Sequence, residues 1–229
     1  MAKILTTAIV ADIRNKLNGS VFSKNRYGSY VRTKVTPVNP QTSAQQNTRN
    51  NLATNSQGWR DLTESQRQGW ISGAANFPFT DIFGNSKILS GSALYVKLNN
   101  NLVASGFPAI SDCPSPVAIP ALALGSFTAD ESTGVVSLAF TDTPVPADFS
   151  LAIQTTGNVG AGKSFVKNLF RQVAYIAAAG ASPAIITAEF AAVFGAPVAG
   201  QKIFARAFLV SNITGQAGIP VQTMTIVVP

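Results

Sequence analysis

From Pro116 to the C-terminus the chain is a succession of short apolar runs cut by Gly, Pro and Asp, and this pattern limits its fold more than any other. The runs are Gly125–Thr128, Val135–Thr141, Ser150–Thr155, Val173–Ala177, Ala184–Phe190, Ile203–Val210 and Thr223–Val228. Each has the length of a strand and falls short of a typical helix. The breaks between them hold the residues that tolerate turns, so consecutive strands are expected to return antiparallel. The spacing predicts an antiparallel β-sandwich of the immunoglobulin or fibronectin type III kind. Some Ala-rich pieces, such as Ala188–Phe194, also suit a helix.

The preceding region has a different texture. Asn39 followed by Pro40 is a helix start, a capping residue ahead of the one helical position where proline fits. A helix is predicted from there through Gln45, Arg49 and Leu52 to about Leu62, with Gly58 its weak point. Thr63-Glu-Ser-Gln66 is a capping-box pattern, so a second helix begins near Glu64 and carries Trp70. Asn76-Phe-Pro-Phe-Thr80 breaks it. Leu94, Leu98 and Leu102 fall on one stripe of a third helix, Ser92 to Ser105, which Gly106 and Pro108 end. Trp59 and Trp70 lie within these helical patterns and read as anchors of a small helical core.

The first 38 residues carry strand signals. Ile4, Thr6, Ala8 and Val10 alternate with Leu5, Thr7 and Ile9, which reads as a β-strand over residues 1–17. That strand has no obvious local partner, which leaves pairing with the C-terminal domain or with a sheet of another subunit. Ser20–Lys24 and Ser29–Val35 flank Asn25-Arg-Tyr-Gly28, whose Asn and Gly accept the angles of a tight turn, so a hairpin is expected. Thr36-Pro-Val-Asn-Pro40 then holds an extended link. The chain is therefore read as α+β: a strand-and-hairpin arm at 1–38, a helical unit at 39–115 and a β-sandwich domain at 116–229.

The net charge of +7 sits at one end. Residues 1–60 hold nine Lys and Arg against Asp12 alone, whereas residues 61–229 hold eight basic and nine acidic groups. A basic N-terminal segment suits contact with nucleic acid, an anionic polymer or an acidic neighbour, and a solvated basic hairpin is the plainer alternative. Tyr27 and Tyr30 among Lys24, Arg26, Arg32 and Lys34 make an aromatic–basic surface that suits nucleic acid and a protein interface alike. Charged residues are only 12% of the chain, a composition that fits a protein whose faces are covered by neighbours.

Catalytic chemistry finds little support. The chain has no histidine and a single cysteine, Cys113, which rules out a serine triad, a Cys–His pair, the usual zinc sites and an intrachain disulfide. Asp142 and Asp148 share a Pro-rich loop, where turn formation is the commoner role of Asp. Gly157-Asn-Val-Gly-Ala-Gly-Lys163-Ser164 matches the phosphate-loop string GxxxxGK[ST] and follows an apolar run. A working phosphate loop needs a parallel sheet and a later acidic residue to orient the metal. After Ser164 the chain has no Asp and only Glu189 among short hairpin-like runs. The string is therefore read as a Gly-rich hairpin loop, and no catalytic residue, metal or cofactor is expected. Asp12 and Arg14 interrupt the first apolar run too soon for a secretory leader, and no stretch of about 18 apolar residues offers a membrane span. Asn18-Gly-Ser20 and Asn212-Ile-Thr214 fit the N-glycosylation string.

Three segments together form a long and specific string: Gly19-Ser-Val-Phe-Ser-Lys-Asn-Arg-Tyr-Gly-Ser-Tyr-Val-Arg32, Pro37-Val-Asn-Pro-Gln-Thr-Ser-Ala-Gln45 and Trp59-Arg-Asp-Leu-Thr-Glu-Ser-Gln-Arg-Gln-Gly-Trp70. With Gly91–Asn99 and Thr214–Pro220, they resemble a family of uncharacterised proteins met in phage and prophage-like genomes and in environmental bacteria. The resemblance is strongest over residues 18–112 and weaker beyond. It implies a virion-associated or other assembly-forming structural protein and carries over no catalytic residues. The expectation is a non-enzymatic subunit of a virion component or extracellular fibre that joins copies of itself head to tail. Ile4, Thr6, Ala8, Val10, Phe22, Arg26, Tyr27, Tyr30 and Arg32 are the expected subunit interface, with other virion proteins as further partners. The alternative is a virion accessory protein that binds nucleic acid through the basic arm.

Overall fold

Four strands make the N-terminal sheet: β1 (Ala2–Lys3), β2 (Asn15–Leu17), β3 (Ser20–Asn25) and β4 (Gly28–Thr33), antiparallel in the order β1-β4-β3-β2. They belong to a computed structural model that describes residues 2–3, 13–25, 28–36, 38–80, 86–141 and 143–229. A two-residue turn, Asn18-Gly19, joins β2 to β3, with Asn18 in the left-handed region at φ 49°. The hairpin expected over Ser20 to Val35 is present, its strands ending at Thr33, with Asn25 paired to Gly28. The expected single strand over 1–17 is not. Its two described ends lie at opposite edges of the sheet, β1 against β4 and β2 against β3, so no one strand can run through both. The terminal strand that lacked a local partner in the sequence thus finds one within its own chain.

The chain divides into two units, residues 1–46 and 47–229. Helix α1 (Ser43–Asp61) begins later than Asn39-Pro40 suggests. Gln41 takes φ 48°, which no right-handed helix accepts, so the first turn forms beyond it, where Thr42 Oγ1 accepts from the Gln45 N–H at 3.4 Å. Helix α2 (Glu64–Gly73) starts at the capping box: the Gln66 N–H donates to Thr63 Oγ1, and the Thr63 N–H donates to Gln66 Oε1 at 3.0 Å. A 3-10 turn at Ala74–Asn76 and a short pair, β5 (Phe79–Thr80) with β6 (Ser86–Lys87), lead to α3 (Gly91–Ala104). Ser90 caps α3 through its side chain, so the helix begins at Gly91, one residue ahead of the expected Ser92.

The remainder is β-rich. One sheet contains β9 (Phe149–Thr155), β10 (Arg171–Ile176), β12 (Lys202–Ser211) and β13 (Val221–Ile226) in the order β10-β9-β12-β13. The other contains β7 (Leu124–Ala129), β8 (Val136–Phe140) and β11 (Ala184–Ile185) in the order β11-β8-β7. Every pair within these sheets is antiparallel. The run Ala184–Phe190 is only briefly a strand and becomes α4 (Thr187–Phe194). Side chains from both sheets and from α4 meet in one core, among them Phe127, Leu138, Leu151, Ile153, Phe190, Ile203 and Leu209. The chain is thus α+β, with four helices and several antiparallel sheets among the described residues.

The three-helix layer has its own core of Leu62, Trp70, Ala74, Phe77, Leu94, Tyr95 and Leu98. Trp70 is fully buried, meets Tyr95 edge-on at 5.2 Å, and donates its indole N–H to the Ser111 carbonyl at 2.8 Å. Gly58, the weak point of the helix pattern, has a packing reason, since a Cβ there would lie 2.8 Å from Tyr95 Oη. Buried Asn99 closes the layer by exchanging two hydrogen bonds with the Ile110 backbone, at 2.7 and 3.1 Å.

Candidate interaction surface

The strand register sorts the side chains of the N-terminal sheet onto two faces. Cross-strand partners share a face, and neighbours along a strand alternate. On one face Asn15, Phe22 and Val31 form a row, with Leu17, Ser20 and Thr33 in the next. On the other, Lys16, Val21 and Arg32 form a row, followed by Ser23 and Tyr30. One face is therefore led by apolar groups and the other by cations and a phenol ring. Of residues 13–24, 29–36 and 38–46 none is buried, and Leu17 is 70% exposed.

A groove of about 660 Å³ on this sheet is lined by Arg14, Lys16, Lys24 and Arg32 together with Val21, Phe22 and Ser23. Of the expected interface residues, Phe22, Tyr30 and Arg32 lie on the sheet: Phe22 on the apolar face, Tyr30 and Arg32 on the basic one. Ile4, Thr6, Ala8, Val10, Arg26 and Tyr27 lie outside the described residues. Lys16, Val21 and Val31 had no place in the sequence expectation. The place of Lys16 depends on β2 pairing with β3, for which the signal is the Asn18-Gly19 turn that also fits a glycosylation string, and Val21 and Val31 take theirs from the β3–β4 register.

A second surface lies on the other unit. An apolar groove of about 530 Å³ is walled by Val117, Ile119, Leu122, Leu209, Ile219 and Val221, and Ile219 at its rim is 86% exposed. The Val117 N–H donates to Gln216 Oε1 at 2.7 Å, which fixes the segment that forms one wall.

The phosphate-loop string has a structural role. β9 leads into it, but the next strand, β10, returns antiparallel, and no helix lies between Ser164 and β10. Val159 exchanges backbone hydrogen bonds with Lys202, and Val159, Val166 and Phe170 close over Phe204. Gly157 is required by close packing, since a Cβ would lie 2.9 Å from the Phe194 ring. Asn158 holds the neighbouring loop through the Ala196 carbonyl and the Val198 N–H. The Val159 and Lys163 amides donate to the Lys202 and Gly160 carbonyls, and the loop opens no helix on which a phosphate cradle would rest. Asp142 lies outside the described residues, so its pairing with Asp148 does too.

Cys113 is half-buried against the helical core, and burial pushes its thiol above the ordinary range. Burial, with Asp61 adding to it, likewise raises the Tyr95 phenol. Neither group faces a nucleophile's partner, and both read as packing. Among the described residues, no helix is long and apolar enough to cross a membrane. Compared with protein-family models, curated proteins and solved structures, the chain matches none.

Proposed function

We propose that this chain is a non-enzymatic structural subunit that joins copies of itself head to tail in a virion component or extracellular fibre. The observation that carries the reading is the N-terminal sheet, where none of residues 13–24 and 29–36 is buried. Ordering a strand costs about 1–2 kcal/mol per residue, and strands without a packed face do not recover it alone. Covering Leu17, Phe22 and Val31 with a neighbour contributes up to about 2 kcal/mol for each side chain. The apolar groove beside Ile219 on the next copy is the complementary surface. Sheet and groove are different patches, so the contact is heterologous and propagates instead of closing into a dimer.

In the same reading the two C-terminal sheets are an immunoglobulin- or fibronectin III-like sandwich. Taken in chain order as A, B, C, C′, E, F and G, β7, β8 and β11 supply A-B-E, while β9, β10, β12 and β13 supply C′-C-F-G. Such a domain offers sheets and loops for docking without a catalytic centre. The resemblance of residues 18–112 to phage and prophage-type proteins supports the virion as its place.

Two variants test the reading. Phe22→Asp spoils the sheet, Ile219→Asp spoils the groove, and each should sediment as the 23.9 kDa chain where the unaltered protein sediments faster. Mixed together, the two retain one good surface each and should give dimers only. If both variants assemble like the unaltered protein, the proposed contact is wrong.

A further inference from the structure

The basic face of the N-terminal sheet carries a chemistry of its own. Lys16 and Arg32 flank Val21 in one row, placing two like charges about 10 Å apart by strand spacing. That separation is slightly more than one screening length in physiological salt, so their mutual repulsion is largely screened and both exposed charges are open to an anion laid across Val21. Residues 1–46 hold seven Lys and Arg against Asp12, a strong local excess of positive charge. Arg14 and Lys24 line the same groove, and its described lining holds no acidic side chain. Ser23 and Tyr30 occupy the next row on that face and add a hydroxyl donor and an aromatic ring.

We infer that this groove binds the phosphate backbone of a nucleic acid. Lys and Arg displace counterions from phosphates, and a serine hydroxyl donates to phosphate oxygens. Tyr30 offers a ring on which a base stacks, a feature that carboxylates of an acidic protein would not use. The inference goes beyond the assembly reading and does not rest on it: Lys16 and Arg32, which carry it, stand on the face opposite Val31, although Phe22 of the apolar face also lines the groove.

The test is fluorescence anisotropy of a labelled oligothymidine with the full chain, over about 50 to 200 mM salt. Three phosphate contacts with a single strand give a log–log slope of about −2. Lys16→Gln and Arg32→Gln should each bring that slope about 0.7 closer to zero, while Arg32→Lys keeps it, a control that separates charge from folding. Tyr30→Leu should weaken binding about tenfold at every salt concentration. Failure to bind at the lowest salt, or a slope unchanged by both glutamine variants, overturns the inference. Displacement by polyglutamate as readily as by oligothymidine, with Tyr30→Leu silent, overturns it in favour of an acidic protein. Sedimentation of Lys16→Gln and Arg32→Gln should match the unaltered chain, so loss of nucleic acid and loss of assembly are separate readouts.

Discussion

Replacing Gly215 with alanine should uncouple the helical layer from the sheets it rests on. Gly215 has φ 72°, a conformation that costs an L-residue about 1 kcal/mol. A Cβ there would overlap the Leu98 carbonyl oxygen and lie 2.8 Å from the Leu98 carbonyl carbon, both in the backbone of α3. That backbone cannot give way without breaking its own helix ladder, so the loop must withdraw. Withdrawal gives up the bond from Asn101 Nδ2–H to the Gly215 carbonyl, at 2.8 Å, and strains the adjoining one from Val117 to Gln216. At about 1 kcal/mol for each hydrogen bond, with the backbone term added, the loss is about 3 kcal/mol. Urea unfolding followed by tryptophan fluorescence and by far-UV circular dichroism measures it, since Trp59 and Trp70 both report on the helical layer. In the unaltered protein the two transitions should coincide. In Gly215→Ala the midpoint should fall and the fluorescence change should come first. A variant within about 0.5 kcal/mol of the unaltered protein, with coincident transitions, would refute the reasoning.

Gly58→Ala should change sign with its surroundings. In the unaltered chain the new methyl meets Tyr95 Oη and stability should fall, whereas in a Tyr95→Phe background alanine's better helix propensity should raise it by up to about 1 kcal/mol, and thermal melts with the same sign in both would contradict this. Asp130 is held below its ordinary range, first by the Thr133 N–H and then by the Ser132 hydroxyl, so its folded form binds a proton less readily than its unfolded form. Its contribution is therefore present above the ordinary carboxylate pKa of about 4 and lost as pH falls through the lower folded value, and the stability gap between Asp130→Ala and the unaltered chain should close there in acid unfolding.

The sequence was most informative where structure depends on neighbours along the chain. Thr63-Glu-Ser-Gln66 places its helix start to the residue because both cap bonds are local. Trp70 and the Leu94, Leu98 and Leu102 stripe were legible as core for the same reason, a helix face being set by spacing alone. The start of α1 was misplaced because Asn39-Pro40 permits a helix but the left-handed Gln41 prevents one, and nothing local requires that angle. Ala184–Phe190 divides into a two-residue strand and the first turn of α4, since an Ala-rich run suits either and the core contact of Phe190 decides. The two faces of the N-terminal sheet could not be read at all without the register. A shift of one residue in the β2–β3 pairing would move Lys16 to the face of Phe22.

The central claim is that this chain is built to be covered by copies of itself, and negative-stain microscopy with sedimentation of the purified full chain, beside one lacking residues 1–17, tests it most directly. The full chain should form extended assemblies, and the truncated one should remain folded and sediment near its own mass. A full chain that stays at 23.9 kDa at every concentration, or a truncated chain that builds the same assemblies, would contradict it.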